Sequence, residues 1–359
     1  MTTAKPARRT TQASAAPTAT ASRTAARTAA STAAKTSAAS ARTPTAAQLP
    51  TVGLLGLGIM GSAMAGNLMK AGFVVLGFDP SAPARQRFRV AGGKVCTDAQ
   101  AVARGAQVII TSLPSAAALM DTATAVAAAA ARGLLVVETS TLDIADKEAA
   151  RRVLAAQGVV LLDCPLSGTG AQAIRKDLTV YASGPAATIK RLQAVFDGFS
   201  KAQFSLGAFG NGMRMKLMAN LLVAIHNVST AEALLLGKRW GIKPADAVKV
   251  LADGAGGSRM LQVRGPFMDD RGWETVTMKV EVWQKDMKLI AAALRETGVP
   301  APLFAATVPV YDAAMGMGHA KHDTAAVFDV LERMSTPAQP EKPAPRAKRA
   351  QRAQRAQRK

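Results

Sequence analysis

Residues 51–79, TVGLLGLGIMGSAMAGNLMKAGFVVLGFD, predict a strand, a tight turn, a helix and a second strand, in that order. The apolar run at 52–55 leads directly into Gly56, Gly58 and Gly61, which have the spacing G-x-G-x-x-G. In that motif the first glycine allows the tight turn, the second lets the backbone approach a pyrophosphate, and the third lets the helix pack closely on the sheet. The stretch therefore predicts a dinucleotide-binding turn, with the phosphates on the free N–H groups of the helix.

The second strand of this stretch ends at Asp79, 23 residues after Gly56. An acid roughly 20 residues after the first glycine holds the adenosine ribose of NAD, and its charge repels the 2′-phosphate of NADP. Pro80 follows and offers neither a cation nor an N–H donor. We therefore expect NAD, with NADP as the alternative because Arg85 and Arg87 follow on the next helix. The dinucleotide contacts expected from this stretch are Gly56, Leu57, Gly58, Ile59, Met60, Gly61 and Asp79.

The composition of the chain separates its two ends from its body. Residues 1–50 carry seven Lys or Arg and no acid, and residues 337–359 carry eight and one Glu, so most of the net charge of +21 lies at the ends. The 359-residue length fits about two ordinary domains. We predict disordered basic tails over 1–48 and 336–359, a dinucleotide-binding Rossmann domain over 49–211, and an all-helical dimerisation and substrate domain over 212–335.

The basic ends leave two interpretations open. They are either arms that bind nucleic acid weakly and in a salt-dependent way, or solvated tails, since no aromatic residue is interleaved to stack on bases. The N-terminal composition is also typical of an organellar transit peptide, although import does not explain the matching C-terminal tail. We expect a cytoplasmic protein, with organellar import as the alternative. No uninterrupted apolar run reaches the ~18 residues of a membrane span, and Cys96 and Cys164 fit a reducing compartment.

Strands and helices alternate as far as residue 206 and predict a doubly wound parallel sheet. In such a sheet, ligands lie beyond the carboxyl ends of the strands. Leu113 and Pro114 follow one predicted strand, and Ser140 and Thr141 follow the next. All four residues are therefore expected to face the cofactor crevice. The alternative role for Ser140 and Thr141 is capping of the next helix, which accounts for only one of the two hydroxyls. A third strand leads into residues 164–170, CPLSGTG, whose glycines and hydroxyls favour binding of an anion. The strands are predicted at 108–112, 134–138, 159–163, 178–183 and 203–206.

From residue 207 onwards the sequence predicts helices, the first of them an apolar helix over 213–239. Lys216 and Asn220 lie four residues apart near its start and so share one helical face. A lysine is costly to bury without a use, and a neutral lysine can take the hydroxyl proton of an alcohol while the hydride leaves for nicotinamide. We interpret Lys216 as the general acid/base and Asn220 as its partner. Further helices are predicted at 244–251, 285–297, 303–315 and 324–334.

Four separated blocks are spread over about residues 50–335: GLGIMGSAMAGNL, DCPLSGTGAQA, GNGMRMKLMAN and WQKDMKL. Together they are more specific than any one of them alone. They resemble the β-hydroxyacid dehydrogenase family, which includes 3-hydroxyisobutyrate dehydrogenase and tartronate semialdehyde reductase. The resemblance implies a Rossmann domain joined through a long helix to a helical domain that dimerises. It also implies that Lys216 is the general acid/base, that Asn220 assists it, and that Lys285 reaches the cofactor.

The resemblance further implies that Ser140 and the loop of Ser167, Gly168 and Thr169 hold the carboxylate of the substrate. The sequence departs from the family pattern in that same loop. Thr169 stands where a second glycine is common, and residues 176–178 read KDL where G-T-L is usual. A side chain at position 169 narrows or reshapes the acid pocket, so the sequence leaves the identity of the acid open.

We therefore expect an oxidoreductase that transfers a hydride between NAD and a small β-hydroxyacid resembling 3-hydroxyisobutyrate or tartronate semialdehyde, and that forms a homo-oligomer. Two alternatives stay open: an imine reductase-like NADP enzyme, a class that generally lacks the lysine, and a cofactor-binding protein tethered to nucleic acid by its basic tails. His226, His319 and His322 share no metal-ligand spacing, so no metal site is predicted.

Overall fold

The structure is a computed structural model that describes residues 49–335. The tails predicted over 1–48 and 336–359 lie outside the described residues. In the first half of the described chain the elements, in order, are β1 (Val52–Leu55), α1 (Ile59–Lys70), β2 (Val75–Phe78), α2 (Ala82–Val90), β3 (Lys94–Val95), α3 (Ala99–Gly105), β4 (Val108–Thr111), α4 (Ala116–Ala129), β5 (Leu135–Glu138), α5 (Ile144–Ala155), β6 (Val160–Asp163), β7 (Leu166–Ser167), α6 (Gly170–Ile174), β8 (Thr179–Ala182), α7 (Ala186–Arg191), α8 (Gln193–Phe199) and β9 (Ala202–Ser205).

Within this half, six strands form a parallel sheet in the order β3-β2-β1-β4-β5-β6. Every residue of β1, β4 and β5 is buried, as expected for near-continuous apolar strands covered on both faces by helices. The strand order reverses between β1 and β4, and such a reversal leaves a crevice at the carboxyl ends of the two strands. Gly56 and Leu113 lie at that crevice. The predicted doubly wound parallel sheet is confirmed.

Residues 166–205 do not extend the parallel sheet as their strand–helix alternation suggests. Among the described residues, β7, β8 and β9 form a second, three-stranded sheet in which β7 pairs with β8 in the antiparallel sense. Only Cys164 and Pro165 separate β6 from β7, and a parallel connection needs a crossover of a dozen or more residues. The two sheets meet at a bridge between Asp163 and Ser183.

The second half of the described chain is helical and packs around one long helix. Its elements are α9 (Asn211–Arg239), α10 (Pro244–Asp253), α11 (Arg259–Asp269), α12 (Val280–Thr297), α13 (Pro302–Gly316), a 3₁₀ turn (Thr324–Ala326) and α14 (Val327–Met334). A separate apolar core joins α9 to these helices through Leu234, Trp283, Tyr311 and Phe328. Helix α11 was not predicted, because glycines precede it and Pro266 lies inside it.

In the described part of the chain, α9 alone has the length and the mean hydropathy, 1.3, of a membrane span. Of that apolar window, 44% is buried inside the protein. Its buried amides bond to other helices, with Asn220 donating to Asp286 and Asn227 to Tyr311. Helix α9 therefore has the contacts of the core helix of a helical domain.

Candidate active site

The glycine turn after β1 leaves no room for side chains at its first and third glycines. Gly56 has φ of +93°, and a Cβ there would lie 2.2 Å from the carbonyl oxygen of Ser112. A Cβ on Gly61 would lie 1.9 Å from the carbonyl oxygen of Gly56, so α1 starts in direct contact with the turn. A Cβ on Gly58 would meet nothing within 4 Å, and this is where the turn opens into a cavity.

A cavity of about 990 Å³ lies over this turn, between the parallel sheet and α12. Eight of the residues predicted to contact the cofactor line it: Gly56, Gly58, Ile59, Met60, Asp79, Leu113, Pro114 and Lys285. Leu57 and Gly61 are buried behind this wall, and Thr141 bonds to Lys285 through its carbonyl oxygen. Sequence reasoning missed four polar residues of the wall, Asp98, Ser112, Asp121 and Thr122, since only their position in space marks them.

Asp79 is fixed at one end of the cavity by backbone groups. Its Oδ2 accepts a hydrogen bond from the N–H of Leu57 at 2.7 Å and its Oδ1 accepts one from Ser81 at 2.8 Å. Arg85 donates to the carbonyl oxygens of Asp79 and Pro80 at 2.6 and 2.9 Å, which holds this cation beside the wall. The carboxylate is therefore held in position where β2 ends.

The cavity has the features that a dinucleotide requires. No side chain caps the start of α1 in the described structure, so its first N–H groups are free to bind phosphate. Gly58 lets a ligand approach the backbone, and Asp79 supplies a carboxylate for ribose hydroxyls. The residues present thus fit a nicotinamide dinucleotide.

Helix α12 closes the cavity from the helical half. Lys285 and Val282 lie on its wall, and Lys285 Nζ donates to the carbonyl oxygen of Thr141 at 2.6 Å. Thr141 follows β5, so this bond joins α12 to the carboxyl end of the parallel sheet. Lys285 thereby holds the two halves together at the edge of the cofactor cavity.

Lys216 lies near the start of α9, half-buried and without a hydrogen-bond or ion-pair partner among residues 49–335. Desolvation lowers the pKa of Lys216, the charge of Lys285 lowers it further, and the charge of Asp286 opposes both. Asn220, one turn along the same face, donates from Nδ2 to Asp286 Oδ2 at 2.9 Å. The structure thus brings together the predicted Lys216, Asn220 and Lys285.

Asp286 is the residue of this cluster that sequence reasoning missed. It is buried, and desolvation raises the pKa of its carboxyl group while Lys216 and Lys285 lower it. The sequence feature that could have indicated Asp286 is the QKD run at 284–286, where an acid directly follows the predicted cofactor contact Lys285. Burial of that acid against α9 depends on tertiary packing, which the run alone does not reveal.

The predicted acid-binding residues lie on two neighbouring segments. Ser140 is buried, and its Oγ accepts a hydrogen bond from the N–H of Leu113 at 2.8 Å. Ser167 ends β7, which contacts α9. Thr169 is the N-cap residue that precedes α6, and its N–H donates to Gln172 Oε1 at 3.0 Å, so this threonine shapes the loop. Within residues 49–335 no group of three His, Cys, Asp or Glu side chains is arranged to hold a metal.

Comparison with known proteins matches both halves of the chain to domain families. Residues 51–210 match the NAD-binding domain of 6-phosphogluconate dehydrogenase, and residues 210–331 match the NAD-binding domain of NADP-dependent 3-hydroxyisobutyrate dehydrogenase. The two matches meet at the start of α9. The chain therefore has nicotinamide dinucleotide-binding domains, and both NAD and NADP occur among the families that it matches.

Whole-length relatives agree with these matches. An L-threonate dehydrogenase of Cupriavidus necator is 32% identical over 80% of this chain and 98% of its own length. A 2-(hydroxymethyl)glutarate dehydrogenase of Eubacterium barkeri is 29% identical over 79% of this chain and 95% of its own length. The solved structure of Mycobacterium tuberculosis 3-hydroxyisobutyrate dehydrogenase with L-serine superposes with a TM-score of 0.72 at 28% identity, covering 79% of this chain and 99% of that one. With the cofactor cavity and the fold, these matches show that the chain is an NAD(P)-dependent dehydrogenase that belongs to the β-hydroxyacid dehydrogenase family.

Proposed function

We propose that this enzyme interconverts a small β-hydroxyacid and its semialdehyde with NAD, and that Lys216 moves the hydroxyl proton. The relatives are named for L-threonate, 2-(hydroxymethyl)glutarate and 3-hydroxyisobutyrate. Each of these compounds carries a carboxylate and a hydroxyl group on a short carbon chain. The proposed substrate has the same two groups, and the enzyme needs one set of residues for each.

The observation that carries the proposal is the environment of Lys216. A lysine acts as a base only when it is neutral, and desolvation lowers the pKa of Lys216 from its ordinary value. The neighbouring Lys285 adds to that effect. Because the described residues give Lys216 no ion-pair partner, its amine is free to exchange a proton with a substrate.

In the oxidation direction, the Lys216 amine accepts the proton of the substrate hydroxyl as the adjacent carbon loses its hydride and a C=O bond forms. Bound NAD supplies the hydride acceptor. Asn220 uses its Nδ2 on Asp286, and no hydrogen bond to its Oδ1 occurs within residues 49–335. That oxygen can therefore accept a hydrogen bond from the lysine or from the hydroxyl of the substrate.

The carboxylate of the substrate is assigned to Ser140 and to the loop of Ser167, Gly168 and Thr169. The Oγ of Ser140 already accepts a hydrogen bond from Leu113, so its own proton is free to be donated to an anion. Thr169 reduces the space in the loop compared with a glycine, which favours acids with a small substituent at the carbon between carboxylate and hydroxyl. This feature supports short acids over larger ones.

The proposal is tested by the reduction of NAD, followed by NADH absorbance, with 3-hydroxyisobutyrate, L-threonate, L-serine and 2-(hydroxymethyl)glutarate. The methyl ester of the best acid is the control, because it keeps the hydroxyl and loses the charge. We expect turnover of at least one acid and a loss of roughly 10-fold or more in kcat/KM for its ester, as for a lost hydrogen bond to a charged group. Equal turnover of acid and ester, or no turnover of any hydroxyacid, would refute the proposal.

A further inference from the structure

Three charged side chains outside the proposed chemistry lie fully buried beneath the site. Lys147 Nζ, on α5, lies 2.7 Å from Glu138 Oε2 and 2.7 Å from Asp163 Oδ1, and none of the three side chains is exposed. Burial lowers the pKa of Lys147, but the two carboxylates outweigh that effect and raise it overall. Lys147 is therefore an ammonium ion at neutral pH, and it pairs with both acids. We call Lys147, Glu138 and Asp163 the buried triad.

One arm of the buried triad runs to the acid-binding serine. Glu138 is the last residue of β5, and its Oε1 accepts a hydrogen bond from the N–H of Ser140 at 2.9 Å. The hydroxyl of Thr111 lies 3.4 Å from the same oxygen. Ser140 Oγ is held in turn by the N–H of Leu113, so Glu138 fixes the backbone of this serine and Leu113 fixes its hydroxyl.

The other arm runs to the helix that carries Lys216. Asp163 Oδ2 accepts a hydrogen bond from the N–H of Met213 at 2.8 Å, and Ser183 Oγ accepts one from the N–H of Gly212 at 2.9 Å. Gly210, at the N-cap position of α9, has no side chain that could accept hydrogen bonds from these N–H groups. Two carboxylates and one ammonium leave one negative charge, which the positive end of the helix dipole stabilises.

We propose that Lys147 is a positioning residue that ties the Ser140 segment to the first turn of α9, so that the groups holding the carboxylate and the hydroxyl of the substrate keep one fixed separation. The inference rests on the functions proposed for Ser140 and Lys216. A buried ion triad contributes little net stability, because desolvation of the ions offsets their attraction. The hydrogen bonds from Lys147 to Asp163, from Ser140 to Glu138 and from Met213 to Asp163 do fix geometry, and a misplacement of about 1 Å can cost roughly 100-fold in rate.

The direct variant, Lys147→Met, leaves two unpaired buried carboxylates and so endangers folding. Glu138→Gln and Asp163→Asn are the better tests, since each leaves one charge-balanced pair with Lys147 and breaks one arm. Asp323→Asn is the matched control: it neutralises another fully buried carboxylate, the partner of Arg264 in the helical half, and touches neither arm. All variants are made in the full chain and compared with the wild type for the melting temperature and for the dissociation constant of NADH.

The two arms predict different kinetic losses. Glu138→Gln should mainly raise KM for the hydroxyacid and Asp163→Asn should mainly lower kcat, each by roughly 10- to 100-fold, since each misplaces a different group. The dissociation constant of NADH should stay within about twofold in both variants, because the glycine turn does not touch the triad. The control should lower the melting temperature and leave KM and kcat unchanged. If the two arm variants also lose only melting temperature, the triad is structural and the proposal fails.

Amide hydrogen exchange tests the coupling between the two arms without any substrate. If Lys147 couples the arms, Glu138→Gln raises amide exchange in residues 211–216 and Asp163→Asn raises it in residues 139–142, although in neither variant does the substituted side chain contact the segment that responds. Exchange that rises only in the segment touched by each variant overturns the inference. This readout needs no turnover, so it tests the coupling even if the wild type oxidises no hydroxyacid. That second result would refute the proposed function and leave the coupling between the arms standing.

Discussion

Asn220 Nδ2 donates a hydrogen bond to Asp286 Oδ2 at 2.9 Å and so joins α9 to α12 one turn from Lys216. Asp286 follows Lys285 in sequence, and the two act on Lys216 with opposite signs. The charge of Asp286 raises the pKa of Lys216, whereas the charge of Lys285 lowers it. The helical half thus supplies both charges that tune the proposed base.

Neutralising these two neighbours should shift the pH dependence of oxidation in opposite directions. Because the neutral amine is the active form, kcat rises with pH through the pKa of Lys216. Asp286→Asn removes the charge that raises this pKa, so the rising limb moves to lower pH; Lys285→Gln removes the charge that lowers it, so the limb moves to higher pH. The check is kcat against pH at saturating NAD and hydroxyacid. If both variants shift the rising limb in the same direction, or if neither shifts it, Lys216 is not the titrating group.

The close approach of α9 to the sheet predicts that Gly212→Ala is damaging. The new Cβ would lie 2.3 Å from the carbonyl oxygen of Tyr181 and 2.7 Å from that of Asp163, both of them backbone atoms. The helix must move, at a cost of about 1–3 kcal/mol in the free energy of unfolding, and Lys216 moves with it.

The matched control for this substitution is Gly66→Ala in α1, where the new Cβ meets nothing within 4 Å. Alanine there should stabilise the helix by about 0.5–1 kcal/mol. Thermal unfolding and kcat/KM are measured for both variants. A Gly212→Ala enzyme as stable and as active as the control would show that the contact is not required.

Asp79 should make the enzyme prefer NAD over NADP. Its carboxylate is held at the cavity wall by the N–H groups of Leu57 and Ser81, so it cannot easily turn away from a 2′-phosphate. Arg85 is occupied with two backbone carbonyl oxygens, which leaves it less able to bind that phosphate. We expect a higher kcat/KM with NAD, and Asp79→Asn should move the ratio towards NADP. A wild-type ratio that favours NADP would contradict this assignment.

Exposed apolar side chains on the helical half support the expectation of a homo-oligomer. Leu303 on α13 is 67% exposed, Leu222 on α9 is 51% exposed and Met334 at the end of α14 is 72% exposed. Large apolar side chains concentrated on one part of a protein are typical of an interaction surface. Light scattering at micromolar concentration should give a multiple of the 37.1 kDa chain mass. A monomer mass there would count against an oligomer.

The sequence was sufficient to predict the parts of the fold that rest on local patterns. The boundaries of β1 match the prediction, because the apolar run at 52–55 has clear ends. Strand β3 has only two residues, Lys94 and Val95, and pairs with β2 alone, so no alternation reveals it. Helix α11 contains Pro266, which a local pattern reads as the end of a helix.

The site was predictable only where residue type and spacing carry the chemistry. Lys216 and Asn220 stand out because polar residues at i and i+4 interrupt an apolar helix. Lys147 does not, since it lies among Asp146, Glu148 and two arginines on α5, a pattern typical of a solvated face. Its complete burial arises from the packing of α5 against β6 and the end of β5, which depends on the tertiary fold.

The role of Lys216 is tested most directly by kcat of Lys216→Met, with the dissociation constant of NADH measured on the same preparation. Lys288→Met, an exposed lysine on α12, is the matched control. We expect kcat of Lys216→Met to fall by about 10²–10⁴ while NADH binding stays at the wild-type level, because the cofactor cavity is built from other residues. Wild-type turnover in Lys216→Met would show that another group moves the proton.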